Sequence, residues 1–345
     1  METVFAFDSV WLALLLKVLA VIVIFLTVPL VMGYMEHKVL AHMQARLGPM
    51  EALPHGVGQL VADGIKFLQK ENVVPAAADK WVFGLAPGVM LIPGIVVLVV
   101  VPFGPGAFAE NLDAGIFFAL AVSSISTIGL LMAGWASANK FSLMGGLRGA
   151  AQLIAYELPL VLAAAAVALQ AETLSLVGIV EAQADFRLLG TITVPYAVPH
   201  AFGLALFFMA AVAELNRPPF DMPIADAELI AGHMTEYTGI RFAFFLLTEY
   251  AGMVVLAALA TVLFLGGWYI WPGIAYPAGW PTWLTAIVAT GVSLGKIMTL
   301  VFVMVWLRAT FPRLREDQLQ RMSWLIMIPL GLFNIVIIAI AKVIA

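Results

Sequence analysis

The chain has 345 residues, 63% of them hydrophobic and only 11% charged, with a mean hydropathy of +1.03 and a formal net charge of −4. A soluble domain carries about a quarter charged residues, so there is too little polar surface here to solvate a globule and the apolar surface must face lipid. Cysteine is absent and the five histidines (His37, His42, His55, His200 and His233) show no HxxxH or HExxH spacing, which excludes disulfides and thiolate-held zinc or iron–sulfur clusters and leaves no expected haem or metal site.

The N-terminal stretch lacks a basic region and runs straight into a long apolar span, so it reads as a first transmembrane helix and not as a cleaved signal. Apolar runs able to cross a ~30 Å core, about 20 residues each, fall at 10–33, 82–103, 114–135, 150–170, 199–214, 241–266, 283–307 and 323–344. The expected fold is therefore an all-α polytopic membrane protein of about eight transmembrane helices. The fifth run is short, bounded by Pro199 and Glu214. Because lipid cannot satisfy a bare backbone, Val- and Ile-rich runs such as 95–101 are expected to be helical despite their β-propensity.

Basic residues set the topology. The connections after the first, third, fifth and seventh spans hold thirteen of the seventeen Lys and Arg, and the other side keeps Arg187 and Lys342. By the positive-inside rule those connections are cytoplasmic and the N-terminus faces outward. Residues 1–345 read as a single integral membrane domain, with a long cytoplasmic loop at 34–81 and an acidic one at 214–241. Within the first loop, Leu60, Val61, Ile65 and Leu68 recur at near-helical spacing with Asp63, Lys66 and Lys70 between them. This predicts an amphipathic interfacial helix, serving either as a surface anchor or as a docking surface or lid.

Several charges fall where lipid should reject them, at about 2.5–3.5 kcal/mol for a charge near the bilayer centre. Lys17 is close enough to an interface to snorkel. Glu157, two turns into the expected fourth span, sits beside Pro159, which removes the donor for the Ala155 carbonyl. Glu249 and Lys296 lie deep in the sixth and seventh spans. Two acids on separate helices, a buried lysine and the acidic segment suggest a proton pathway, because desolvation raises a carboxylate pKa and a nearby cation lowers it again; a structural ion pair is the alternative.

Residues 214–241 pack five carboxylates, two arginines and a histidine between apolar runs. Asp221 is placed to cap a short helix. Asp226 and Glu228, two apart, point to different helix faces and cannot form one paired-carboxylate site. Arg217-Pro218-Pro219-Phe220 is a stiff turn presenting an arginine and an aromatic, suited to the mouth of a cavity for an aromatic amphiphile. No GxSxG, Walker or GxGxxG pattern occurs, so nothing here is expected to bind NADH or flavin.

The segments QARLGP (44–49), LVADGIKFLQKENVVPAAADKWVFGLAP (60–87), GGLRGAAQLIAYELPL (145–160), AELNRPPFDMPIADAELIAGHMTEYTG (213–239) and WLRATFPRLREDQLQRMSW (306–324) closely resemble the H-type membrane subunits of bacterial NADH–quinone oxidoreductase, respiratory complex I. The resemblance implies a membrane subunit of a proton-translocating enzyme, not catalytic alone, in the bacterial inner membrane. Its substrate would be quinone, with no metal, haem, flavin or iron–sulfur cluster on this chain. Its partners would be lipid, the cluster-bearing and quinone-site subunits of the peripheral arm, and small and antiporter-like membrane subunits, with no nucleic acid. Carried over by position, the quinone chamber would comprise Glu36, Arg46, Asp63, Arg217, Phe220, Asp221, Asp226 and Glu228. The proton path would comprise Glu157, Glu214 and Glu249, with Lys296; Arg308 matches a further charged position. This chain departs from the family at Glu36-His37-Lys38, where ERK is usual, at 50–56, and at Ile224 and Asp226, where FDLPEAESELVAG is common. The equivalent subunit of a membrane-bound hydrogenase or a ferredoxin- or deazaflavin-linked dehydrogenase is the near alternative, and a stand-alone ion transporter the distant one.

Overall fold

Among the described residues of the computed structural model, seven helices are long and apolar enough to cross a membrane. They are α1 (Val10–Met43), α3 (Lys80–Val97), α4 (Gly115–Ala136), α5 (Lys140–Ala171), α9 (Gly239–Phe264), α10 (Thr282–Thr310) and a last span. That last span runs from α11 (Glu316–Arg321) through a π-helical turn (Met322–Met327) into α12 (Ile328–Ile344). The expected fifth span is α7 (Ala201–Glu214), whose 14 residues extend about 21 Å, short of a ~30 Å core. The structure describes residues 10–188, 192–224, 226–274, 276–277 and 279–344. It is nearly all-helical: the described strands, Arg187–Leu188 and Ile192–Thr193, are two residues each and pair antiparallel.

The shorter elements are α2 (Gln59–Gln69), α6 (Leu176–Asp185), α8 (Asp226–Leu229) and a 3₁₀ turn at Gly232–Met234. Of these α2 is the amphipathic helix expected from the first loop. Leu60 reaches Gly33 of α1 and the Phe67 ring lies 5.7 Å from that of Phe242 on α9. Val61, Ile65 and Leu68 form an exposed apolar stripe on its outer side.

Two helix boundaries differ most from the hydropathy reading, by ten residues each. Charges mark where a chain leaves the membrane, not where its helix stops. α1 continues ten residues beyond 33 because Met35, Val39 and Leu40 still pack on the core and Ala41 is fully buried. α5 begins at Lys140, where the Asn139 side chain accepts from the Phe141 amide. Its glycines resemble a loop in sequence, yet they permit close packing. A Cβ on Gly145 would stand 2.6 Å from the Gly232 Cα and 2.7 Å from the His233 nitrogen. Glu157 is consequently the eighteenth residue of α5, near mid-helix, and not two turns from its start.

The core gathers around α5 and α9, the two spans most enclosed by the others. α5 packs on α4, α7 and α12; α9 packs on α1, α2, α3 and α10. The odd-numbered connections meet at one end of the bundle. The Asn139 amide donates to Glu236 at 2.5 Å, the Val73 amide to Thr238 at 2.9 Å and the Leu314 amide to the Pro219 carbonyl at 3.1 Å. The other connections meet at the opposite end, where the Ala197 amide donates to the Phe264 carbonyl at 2.7 Å and Lys17 pairs with Glu110 at 3.2 Å. Lys17 thus finds a carboxylate at that end of the bundle.

Candidate functional site

The segment after α7 enters the bundle and does not loop away from it. Gln152, fully buried on α5, donates through Nε2 to the Ala213 carbonyl at 2.6 Å and to the Phe220 carbonyl at 2.7 Å. This clamp fixes both ends of the turn that carries Arg217. Asn216 takes a left-handed φ of 52°, and the prolines at 218 and 219 stiffen the far side of the turn. Arg217, 3% exposed, is thereby driven inward.

Arg217 meets two carboxylates from different helices. Its Nη1 bonds Glu36 on α1, and its Nε lies 2.8 Å from Glu249 on α9. Its guanidinium also sits 4.8 Å from the Tyr250 ring centroid, a cation–π contact. Glu36, 2% exposed, takes a second guanidinium from Arg308 on α10. Two cations therefore face two anions across α1, α9, α10 and the Arg217 turn. Burial alone would weaken the charge on Arg217, but Glu249 and Glu36 outweigh it and hold the guanidinium above the usual arginine value.

Glu249 also lines a cavity of about 100 Å³ between α3, α4, α7 and α9. Glu214, Asn216, His233, Thr248 and Ser126 line it too, and the rest of the wall is mostly apolar. Glu157 stands outside the wall, near Ser124, whose hydroxyl donates to the Ala121 carbonyl at 2.9 Å, and is close enough to Glu214 for their charges to interact. The backbone around Glu157 is completed from the start of the last span. Pro159 leaves the Ala155 carbonyl without its helical donor, and the Ser323 hydroxyl supplies one at 2.5 Å. In return the Tyr156 hydroxyl donates to the Leu319 carbonyl at 2.9 Å, beside the π-helical turn. Both bonds engage the two residues immediately before Glu157.

The residues expected at the site separate into groups. Glu36, Arg217 and Glu249 form one ionic cluster, although the resemblance divides them between chamber and path. Glu214 and Glu249 share the cavity. Phe220 is buried against Tyr156, ring centroids 5.7 Å apart. Helix α8 starts only at Asp226, so half-buried Asp221 does not cap it; the side chain of Asp226 lies outside the described residues. Glu228 is exposed and pairs with Arg148 at 2.6 Å, which also reaches Glu316 at 3.1 Å. Asp63, on α2, pairs with Lys66 and accepts from Gln59 at 3.1 Å. Arg46 is exposed and bonds Gln44 at 2.8 Å. Lys296 stands apart from all of these: its Nζ donates to the backbone carbonyls of Leu265, Gly267 and Tyr269 at 2.6, 3.1 and 2.5 Å. Sequence reasoning does not single out Gln152, His233 or Ser323. A polar residue inside an apolar helix is the available signal for Gln152 and Ser323. Among the described residues no group of three or more His, Asp or Glu is placed to hold a metal ion.

A family model described as NADH dehydrogenase matches residues 16–339. The chain belongs to that family. It is 43% identical over 325 residues to the H subunit of the NADH-quinone oxidoreductase of Geobacillus kaustophilus, covering 94% of this chain and 91% of that one. It is 40% identical over 350 residues to an H subunit of the same enzyme from Geobacter metallireducens, covering 96% and 95%. The H subunit of Brevibacillus brevis is 43% identical over 323 residues, covering 93% and 90%. The matched residues include all the segments that carry the resemblance, among them the Arg217 turn and the Glu157 helix.

Proposed function

We propose that this chain is the H-type membrane subunit of a proton-translocating NADH–quinone oxidoreductase, and that it turns quinone reduction into protonation changes on buried carboxylates. The observation that carries the reading is Arg217, one buried guanidinium hydrogen-bonded to Glu36 and ion-paired with Glu249. Quinone reduction consumes two electrons and two protons. Negative charge or proton uptake beside Glu36 changes how strongly that carboxylate holds Arg217. A guanidinium drawn towards Glu36 leaves Glu249 less compensated, and an uncompensated buried carboxylate takes up a proton. Glu249 then stands at the head of a path through Glu214 to Glu157, leading towards antiporter-like subunits.

The chamber end of this arrangement would include Glu36, Arg217, Phe220 and Asp221, with Arg46, Asp63, Asp226 and Glu228 nearer the surface that meets the peripheral arm. Electrons would arrive from a cluster-bearing partner. The end carrying Arg46, Lys66, Arg148 and Arg313 would face the cytoplasm of a bacterium, with the N-terminus outward, and the exposed stripe of α2 would lie on lipid or beneath a partner subunit. Lys296 belongs to this path only if the loop carbonyls release it.

Glu249→Gln in the purified complex tests the link. Proton translocation should fall several-fold while NADH oxidation with an artificial acceptor continues. Wild-type translocation in that variant sinks the coupling reading, and purification of the chain as a stable lone ion transporter sinks the subunit assignment.

A further inference from the structure

The cavity holds more polar atoms than its protein walls satisfy. His233 is 3% exposed, and neither of its ring nitrogens has a protein hydrogen-bond partner among the described residues. The same holds for Glu214 Oε2 and Asn216 Oδ1. All three side chains line the same space of about 100 Å³ as Glu249. A buried polar atom left unbonded costs about 1–3 kcal/mol. Cavities stay dry only where their walls are apolar, and a water needs about 10–15 Å³ and two to four polar partners. Volume and partner number both fit a small water cluster.

The histidine is held in place by unusual backbone. Gly232 takes φ +52°, with its Cβ position 1.7 Å from the Pro223 carbonyl oxygen, so no side chain fits there. Gly145 lets this turn sit directly on α5. The imidazole stands edge-on to Phe245, centroids 5.4 Å apart, and burial pushes its pKa down to about 4. A neutral imidazole carries one donor and one acceptor on opposite sides of a rigid ring.

We propose that His233 is a positioning residue for a water chain joining Glu249 to Glu214, one ring nitrogen donating to a water and the other accepting from one. The proposal rests on the carboxylate path argued above. A proton held by Glu249 passes to the first water, each water hands a proton on, and the last protonates Glu214. Every O–H broken is matched by one formed, and His233 keeps its tautomer.

His233→Phe keeps the ring and its contact with Phe245 but removes both hydrogen-bonding atoms, whereas His233→Gln keeps a donor and an acceptor. Per assembled complex, proton translocation should fall about tenfold or more in the Phe variant, as expected for the two hydrogen bonds lost, and stay near wild type in the Gln variant. Wild-type translocation with Phe, or equal impairment with Gln, overturns the proposal. If the Phe variant does not assemble, the wild-type complex decides, at a resolution that shows waters. Density within about 3.2 Å of a ring nitrogen supports the proposal and its absence overturns it. Glu214→Gln separates the two levels. Impaired translocation there beside a normal His233→Phe removes only the histidine, while normal translocation in Glu214→Gln removes the path itself.

Discussion

Two levels of α9 bury a cation in opposite ways. Near its middle, Arg217 is held by Glu36 and by Glu249, the eleventh of its 26 residues. About 24 Å further along the axis, Lys296 is held by three backbone carbonyls of the turn that ends the helix. Carbonyls satisfy an ammonium but cannot take up a proton, so at the Lys296 site only the lysine itself can change protonation. Carboxylates can, so the Arg217 site has several states separated by single protons. The difference makes Arg217 the candidate switch and Lys296 the candidate clamp.

Removing the switch should have the largest effect. Arg217→Ala leaves Glu36 and Glu249 short of a buried partner, a loss of about 3–5 kcal/mol, and should abolish or strongly impair quinone reduction, read as a raised apparent KM or a lowered kcat. Unchanged quinone kinetics would place Arg217 outside the chamber. Lys296→Met should cost less, about 2–3 kcal/mol from lost charge-assisted bonds, seen as earlier thermal dissociation of the complex. Its protons translocated per electron should not change. A lower ratio in a complex that stays intact would put Lys296 back on the proton path and end the contrast.

The sequence makes the charges legible but not their partners. Composition alone identifies a membrane protein, and charges inside apolar runs mark Glu157, Glu249 and Lys296. Glu36, however, meets Arg217 and Arg308 across 181 and 272 residues of chain, a distance no local pattern spans. Pro159 announces an orphaned carbonyl at Ala155, but its donor, Ser323, lies 168 residues away. The start of α5 is hidden because Gly145 and Gly146 serve helix packing where glycine ordinarily signals a loop. His233 is visible as a histidine without spacing partners; its burial in the cavity depends on two close backbone approaches that sequence does not display.

A smaller effect is expected from Ser323→Ala, which strips the donor from the Ala155 carbonyl at about 1–3 kcal/mol. Because the bond lies beside Glu157, translocation should weaken modestly along with stability. Ser323→Thr, which restores a hydroxyl, should recover both. Loss of stability without any change in translocation would separate the lock between α5 and the last span from the carboxylate path.

The smallest effect belongs to the exposed pair, and its pH dependence distinguishes it from the buried cluster. The Arg148 hydrogen bond holds the Glu228 carboxyl below the usual glutamate range. A carboxyl lowered on folding contributes stability that is present above the unfolded value, about 4.3, and lost as pH falls through the folded one. Glu228→Gln should therefore destabilise at neutral pH by no more than about 1 kcal/mol, the range for exposed pairs. The gap from wild type in a thermal melt should close at acid pH and shrink in high salt. A gap that persists under both conditions would mean that Glu228 acts through packing against Arg148 and Glu316 and not through its charge.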